Sequence, residues 1–269
     1  MRAKKSLSQN FLSDISIAKK ILDFARIEGS DTVLEIGPGR GVLTFMLSER
    51  AKEVIAIELD RGLYDALSEK IKQRRIENLR LIYGDAMRFD YSSLGRFKVV
   101  ANIPYHITTP LIFKLLEHRN RLVSMTLTVQ KEVAERIVAM PGCKDYGVLS
   151  LMVQYYGSAE IGFIIPRDAF RPVPKVDSAC LRIEIYKKPK VEVKDEKCFF
   201  KLIKTAFSKR RKTLYNSLRA EYPDIKVILE ALGIEPSRRA ETLSMAEFAS
   251  LADRLCGHLG IEPSSDIVR

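Results

Sequence analysis

Cysteine and histidine are scarce in this chain of 269 residues, which holds 4 of the first and 3 of the second. Cys143, Cys180, Cys198 and Cys256 are widely spaced, make no C-x-x-C pair and have no histidine at a ligand offset. Neither a disulfide framework nor a zinc site fits that spacing, and the four are expected to be reduced, mostly buried thiols. His106, His118 and His258 are too scattered for a metal centre of any kind. No run of 18 apolar residues occurs, so no membrane helix is expected. The basic opening Met1-Arg2-Ala3-Lys4-Lys5-Ser6 has no apolar segment behind it, so no secretory signal is read there and the cytoplasm is the expected location. A G-x-S-x-G elbow and a P-loop are missing too. Acids are in deficit, 34 Asp and Glu against 45 Lys and Arg, which gives a net charge of +11 and a pI near 9.4. That excess implies attraction to a polyanion without selecting which one.

What is present is organised around Val33-Leu34-Glu35-Ile36-Gly37-Pro38-Gly39-Arg40-Gly41. Thr32 to Ile36 is a short β-branched apolar run, three glycines come next at alternate positions, and the apolar spacing of Val42, Leu43 and Met46 then turns helical. Strand, tight turn and helix start in that order open a doubly wound sheet, whose first turn binds nucleotide-like ligands. A dinucleotide fingerprint would need glycine at position 42, which is Val42. Glu35 before the turn is a poor neighbour for a pyrophosphate and a good one for a cation. S-adenosyl-L-methionine, with a sulfonium, an ammonium and no phosphate, is therefore the expected cofactor, and Glu35, Gly37 and Gly39 are expected to cradle it.

Acids downstream fit the same ligand. Val54 to Glu58 reads as the second strand, and Glu58 at its tip is placed to bond both ribose hydroxyls, with Leu59 beside it and Asp60 better suited to cap the next helix. Leu79 to Tyr83 is a third strand, with Gly84-Asp85-Ala86 after it, where Asp85 either accepts from the adenine amine or caps a turn. Phe97 to Ala101 is the fourth, ending at Asn102-Ile103-Pro104-Tyr105. Pro104 cannot sit in a central strand, so the backbone turns outward and frees carbonyls at the sheet edge. An amide, a free carbonyl and an aromatic ring there can accept from an exocyclic amine and stack on its base. Strands over Leu122 to Val129, Ile161 to Ile165 and Ala179 to Ile185 are expected to complete the sheet, the last two at an antiparallel edge, with helices at Pro110 to Glu117, Glu132 to Val138 and Gly147 to Tyr156. Phe170, in a loop stiffened by Pro172 and Pro174, either clamps a base opposite Tyr105 or packs.

A charged stretch from Lys187 to Lys197 ends this pattern, and the chain beyond it is helical throughout: Phe199 to Phe207, Thr213 to Leu218, Ile225 to Leu232, and a helix opened by Ser244-x-x-Glu247. The expected architecture is thus α/β, a doubly wound Rossmann-like sheet over residues 1–186 and a small all-helical domain over 187–269. Lys201, Lys204, Lys209, Arg210, Arg211 and Lys212 lie in the second with no acid among them, and are expected to contact phosphates. Read from the residues alone, Gln9-Asn10-Phe11 is a polar lead-in with one packing aromatic.

These motifs together resemble the ribosomal small-subunit RNA adenine dimethyltransferases. The likeness runs through Gln9 to Leu12, Glu35 to Gly41, Glu58, Gly84 to Ala86, Asn102 to Tyr105, Gln130 to Arg136, Phe170 to Ser178 and Ala206 to Leu214, nearly the whole chain. It implies transfer of two methyl groups from S-adenosyl-L-methionine to the N6 amine of each of two adjacent adenosines near the 3′ end of small-subunit ribosomal RNA. An immature small subunit is the implied substrate particle, with no metal, no membrane and a monomeric enzyme. The resemblance also moves Gln9, Asn10 and Leu12 to the cofactor, Phe11 to the RNA, and Phe170 to base stacking; Asn102, Pro104 and Tyr105 are the expected catalytic set. Ile103 stands where bacterial members commonly have leucine, a change that leaves the proposed acceptors intact.

Overall fold

The structure, a computed structural model, describes residues 10–209 and 211–258, the side chains of 256–258 excepted. Two compact units divide the chain. One reaches to Glu135 and resumes over Ser158–Lys187; the other holds Arg136–Gly157 and continues from Lys188. The last crossing, between Lys187 and Lys188, falls one residue from the expected border at 186 and 187. The stretch from Arg136 to Gly157, expected with the sheet, belongs instead to the helical unit, because its aromatic residues find their partners there.

In chain order the elements are β1 (Phe11–Leu12), α1 (Ile15–Ala25), β2 (Thr32–Ile36), α2 (Val42–Ser48), β3 (Glu53–Glu58), α3 (Arg61–Arg74), β4 (Leu79–Tyr83), β5 (Phe97–Asn102), α4 (Thr108–Glu117), β6 (Leu122–Gln130), α5 (Lys131–Val138), α6 (Val148–Tyr156), β7 (Gly157–Ile165), β8 (Phe170–Arg171), β9 (Ser178–Ile185), α7 (Glu196–Phe207), α8 (Leu214–Leu218), α9 (Ile225–Ala231) and α10 (Met245–His258). Seven strands form one sheet in the order β4-β3-β2-β5-β6-β9-β7. Neighbours from β4 through β6 are parallel, β9 runs antiparallel to β6, and β7 lies beside β9 at the edge, the adjacency expected of these two strands. Four of the five residues of β2 and five of the six of β3 are buried, which is what central strands covered on both faces require.

The chain winds outward from β2 to β4 and then returns to β5 on the other side of β2. This reversal leaves a crevice at the carboxyl ends of β2 and β5, the place where doubly wound sheets take ligands. Helix caps agree with the sequence: Asp14 accepts from the N–H groups of Ser16 and Ile17, and Asp60 from those of Gly62 and Leu63. Two features differ from expectation. The strand expected from Ile161 starts at Gly157, and β1 pairs with β8 as a separate two-stranded sheet, Phe11 opposite Arg171 and Leu12 opposite Phe170.

In the helical unit, Tyr155 and Tyr156 donate to the two carboxylate oxygens of Glu196, and their rings pack on Phe199 and Phe200 of α7. Tyr146 meets Phe207 edge-on, and Phe207 packs on Phe248 of α10. The capping box holds, with Ser244 N–H on the Glu247 carboxylate at 2.7 Å and Glu247 N–H on the Ser244 hydroxyl at 3.2 Å. One expectation fails here: Cys143 and Cys180 are free thiols, but Cys198 is disulfide-bonded. Wide sequence spacing excluded a local framework but carried no information on which helices would pack.

Candidate active site

Three glycines bring the chain around after β2, and each sits at positive φ: 71° at Gly37, 57° at Gly39 and 87° at Gly41. An L side chain is strained there, and space is short as well. A Cβ on Gly39 would lie 3.0 Å from the Phe11 ring, and one on Gly41 2.7 Å from Leu67.

Below the turn lies a cavity of about 260 Å³ lined along the sheet edge by residues from the end of every strand from β2 to β5. Asn10, Phe11, Gly37, Gly39, Glu58, Leu59, Asp85, Ala86, Asn102, Pro104 and Tyr105 are all in its wall. A smaller adjoining cavity adds Leu12, Glu35 and Arg40 and shares Phe11, Gly37, Gly39 and Asn102 with the first. The topology therefore gathers nearly every residue expected to hold the cofactor, drawn from segments far apart in sequence. Gln9 and Arg210 lie outside the described residues.

Both carboxylates under the turn are buried. Glu58 is held by two backbone donors, Gly39 N–H at 3.0 Å and Asp60 N–H at 2.8 Å, one to each oxygen. Burial pushes its carboxyl above the usual range, against the pull of those hydrogen bonds. Glu35 is 2% exposed, and its Oε2 is buried with no hydrogen-bond partner among the described residues. Desolvation pushes its pKa up to about 8, the Thr44 hydroxyl opposing this and the Glu58 charge adding to it. An orphaned carboxylate oxygen beside a second acid calls for a cation. Among the described residues no lysine or arginine lines the larger cavity, so none of them there is suited to neutralise a phosphate. A ligand carrying a cation, hydroxyls and an aromatic base, without phosphate, fits this wall.

At the opposite wall, Asn102 ends β5 and its Nδ2 donates to the Asn10 carbonyl at 2.9 Å. With the nitrogen so engaged, Oδ1 is the end of the amide left to accept. The Pro104 carbonyl takes the Ile107 N–H at 3.1 Å in a tight turn and keeps a second lone pair. Tyr105 is half-buried, its hydroxyl 2.8 Å from that of Ser178, which fixes the ring at the cavity edge.

Of the expected site residues Phe170 is placed differently, while Asp85 and Lys201 have partners of their own. Phe170 is fully buried in the core with Leu12 and Cys180, and it is not in the wall of either cavity. A ring opposite Leu12 in the β1 and β8 pair packs; it does not face Tyr105 as expected. Asp85 is in the cavity wall but also caps its own turn, accepting from Met87 N–H at 2.8 Å. Lys201, expected to reach phosphate with the other cations of the helical unit, is neutralised by Glu221 at 2.6 Å, while Lys209, Arg211 and Lys212 are exposed. Sequence reasoning missed Ser178 as the partner of Tyr105, and Leu63, Met87 and His106 as cavity wall. Nothing local in the sequence marked these residues for the site.

The relatives of this chain are consistent with that geometry. The family model described as ribosomal RNA adenine dimethylase matches residues 1–256. A curated relative from Geobacillus thermodenitrificans, ribosomal RNA small subunit methyltransferase A, is 45% identical over 267 residues, spanning 94% of this chain and 90% of the relative. Among solved structures, a dimethyladenosine transferase from Plasmodium falciparum superposes with a TM-score of 0.76 at 30% identity, covering 90% of this chain and 95% of that one. The 23S rRNA methyltransferase ErmE superposes at 0.72 with 27% identity, covering 92% and 100%. With a family model spanning 256 residues and a relative at that identity over nearly its full length, the chain belongs to the ribosomal RNA adenine dimethylase family.

Proposed function

We propose that the protein transfers methyl groups from S-adenosyl-L-methionine to the N6 amines of two adjacent adenosines near the 3′ end of small-subunit ribosomal RNA, acting as a monomer on an immature subunit in the cytoplasm. The observation that carries this reading is Asn102, fixed by Asn10 with its carbonyl oxygen as acceptor in the same cavity as the glycine turn and its two acids. The cofactor supplies an electrophilic methyl on a sulfonium. Glu35 and Glu58 lie where that charge and the ribose hydroxyls need partners. Asn102 Oδ1 and the Pro104 carbonyl accept the two protons of the adenine amine, which turns its lone pair out of the ring and toward the methyl. Tyr105 holds the extruded base by its face. No strong base is required, since the nitrogen loses its proton readily once methylated. In the helical unit, the exposed Lys209, Arg211 and Lys212, with their neighbour Arg210, supply phosphate contacts.

Full-length protein incubated with labelled cofactor and small subunits lacking the modification should place label on adenosine N6 as dimethyladenosine. Binding without transfer would instead support a non-catalytic assembly factor, and transfer to a small molecule alone would support a small-molecule methyltransferase.

Glu58 gives a further check. Glu58→Ala should weaken cofactor binding by about 1 to 3 kcal/mol, the scale for hydrogen bonds to a charged group. Because Glu58 also satisfies Gly39 and Asp60, the same substitution should lower apo-protein stability by a comparable amount, whereas Glu58→Gln keeps one acceptor and should lose less of both. Calorimetric titration paired with urea unfolding tests this, and unchanged affinity in Glu58→Ala would remove Glu58 from the ribose. For the helical unit, replacing Arg211 and Lys212 by glutamate should weaken particle binding and flatten its salt dependence by about one to two units of log slope. An unaltered slope would mean that these cations do not touch RNA.

A further inference from the structure

We infer that the exposed cations Lys70 and Arg74 form a phosphate-binding face on the sheet unit, along which the RNA strand flanking the target adenosine is led to the cavity. This inference rests on the RNA-methylating reading above and adds a surface to it.

Many other cations of this unit are matched by acids. Arg50 is paired with Asp23, Arg61 with Asp65, Lys98 with Asp31, Lys114 with Glu117 and Lys131 with Glu135. Lys70 and Arg74 form no ion pair among the described residues, and Glu69 beside them bonds Gln73 instead. Neither of these two cations is held by an acid among the described residues. The Arg74 guanidinium lies over the Phe45 ring, 4.1 Å from its centroid, and that of Arg40 over the Phe11 ring at 5.0 Å. Lys70 Nζ donates to the Arg40 carbonyl at 3.3 Å. An aromatic face restrains a guanidinium without neutralising it, so Arg74 keeps its charge and an N–H edge can fork onto a phosphate.

Placement supplies the direction. Lys70 and Arg74 are four residues apart on α3 and so share a face. Leu67, one turn earlier on the helix, lies against the turn at Gly41, which brings this face beside the glycine turn. Arg40 and Phe11 are both in the wall of the smaller cavity, which shares Asn102 with the larger. Lys70, bonded to the Arg40 carbonyl in that wall, thus brings this face to the rim that a target base must cross.

The test uses the full chain with Lys70→Ala/Arg74→Ala, since neither residue touches the cavity. Its probe is an unmethylated transcript of the 3′ segment of small-subunit ribosomal RNA, alone and in intact subunits. Affinity for the transcript should fall about tenfold or more, and the log–log salt slope should flatten by about 1.4, two single-strand contacts at about 0.7 each. Cofactor affinity and the rate at saturating RNA should stay within about twofold of the parent, which also checks the fold. Lys70→Arg/Arg74→Lys should restore the slope, because the slope counts charge. Parental affinity and slope in the alanine variant would overturn the phosphate-binding face alone. Losses on subunits but not on the naked transcript would assign the face to a ribosomal protein and overturn the RNA assignment. A parent chain that neither binds nor methylates the transcript or the subunit would overturn the proposed activity and the phosphate-binding face with it.

Discussion

Asn102→Ala is expected to lower the single-turnover rate of methyl transfer by about two orders of magnitude or more, the scale for losing one hydrogen-bond partner that acts chiefly in the transition state. The adenine amine is a poor nucleophile while its lone pair is delocalised, and in the proposed mechanism Asn102 Oδ1 is the acceptor that reorients it. Cofactor affinity should change only a few-fold, because the glycine turn and both acids stay in place. The bond from Nδ2 to the Asn10 carbonyl sharpens the test. Asn102→Asp keeps an acceptor but sets a second oxygen against that carbonyl, so it should not recover the parental rate. Rapid-quench measurement at saturating RNA and cofactor reads the step directly. An alanine variant within a few-fold of the parent would take Asn102 out of the chemistry.

The second large effect is on stability against pH and comes from Glu35. Its folded-state pKa is raised from 4.5 to about 8 by burial, so the folded protein holds a proton that the unfolded chain releases. The contribution is complete below the unfolded value, near 4.5, and is lost as pH rises to about 8. Its slope is about 1.4 kcal/mol per pH unit where one proton separates the two states. Glu35→Gln removes the titration. The difference in unfolding free energy between parent and variant, measured by urea at several pH values, should therefore shift against the parent across this window and level off above it. Binding of the cationic cofactor should favour the ionised carboxylate and release a proton at neutral pH, visible as a dependence of the binding enthalpy on the buffer's ionisation enthalpy. A parent-minus-variant difference that is flat with pH would mean that Glu35 is ionised in the folded protein throughout.

The order and nature of the elements, and most of the residues that line the candidate site, were legible in the sequence because they rest on local rules. Runs of β-branched apolar residues make strands, alternating glycines make a turn with positive φ, and an acid at a strand tip is delivered to whichever edge the strand ends on. Since parallel strands all end on one edge, Glu35, Glu58, Asp85 and Asn102 could be assigned to one site before their neighbours were known. Tertiary structure settled the features that depend on pairings between distant segments. The pairing of Phe11–Leu12 with Phe170–Arg171 buried Phe170 and brought the Asn10 carbonyl to Asn102, and no periodicity signals a contact across so many residues. Packing of Tyr155 and Tyr156 on α7 moved Arg136–Gly157 out of the sheet unit, although its own helical pattern suits either. Charge obeyed the same rule: Lys201 was one of several basic residues until the fold brought Glu221 to it, while Arg74 met an aromatic ring and kept its charge. Composition fixes how much charge a chain carries, and only the fold decides which of it is neutralised.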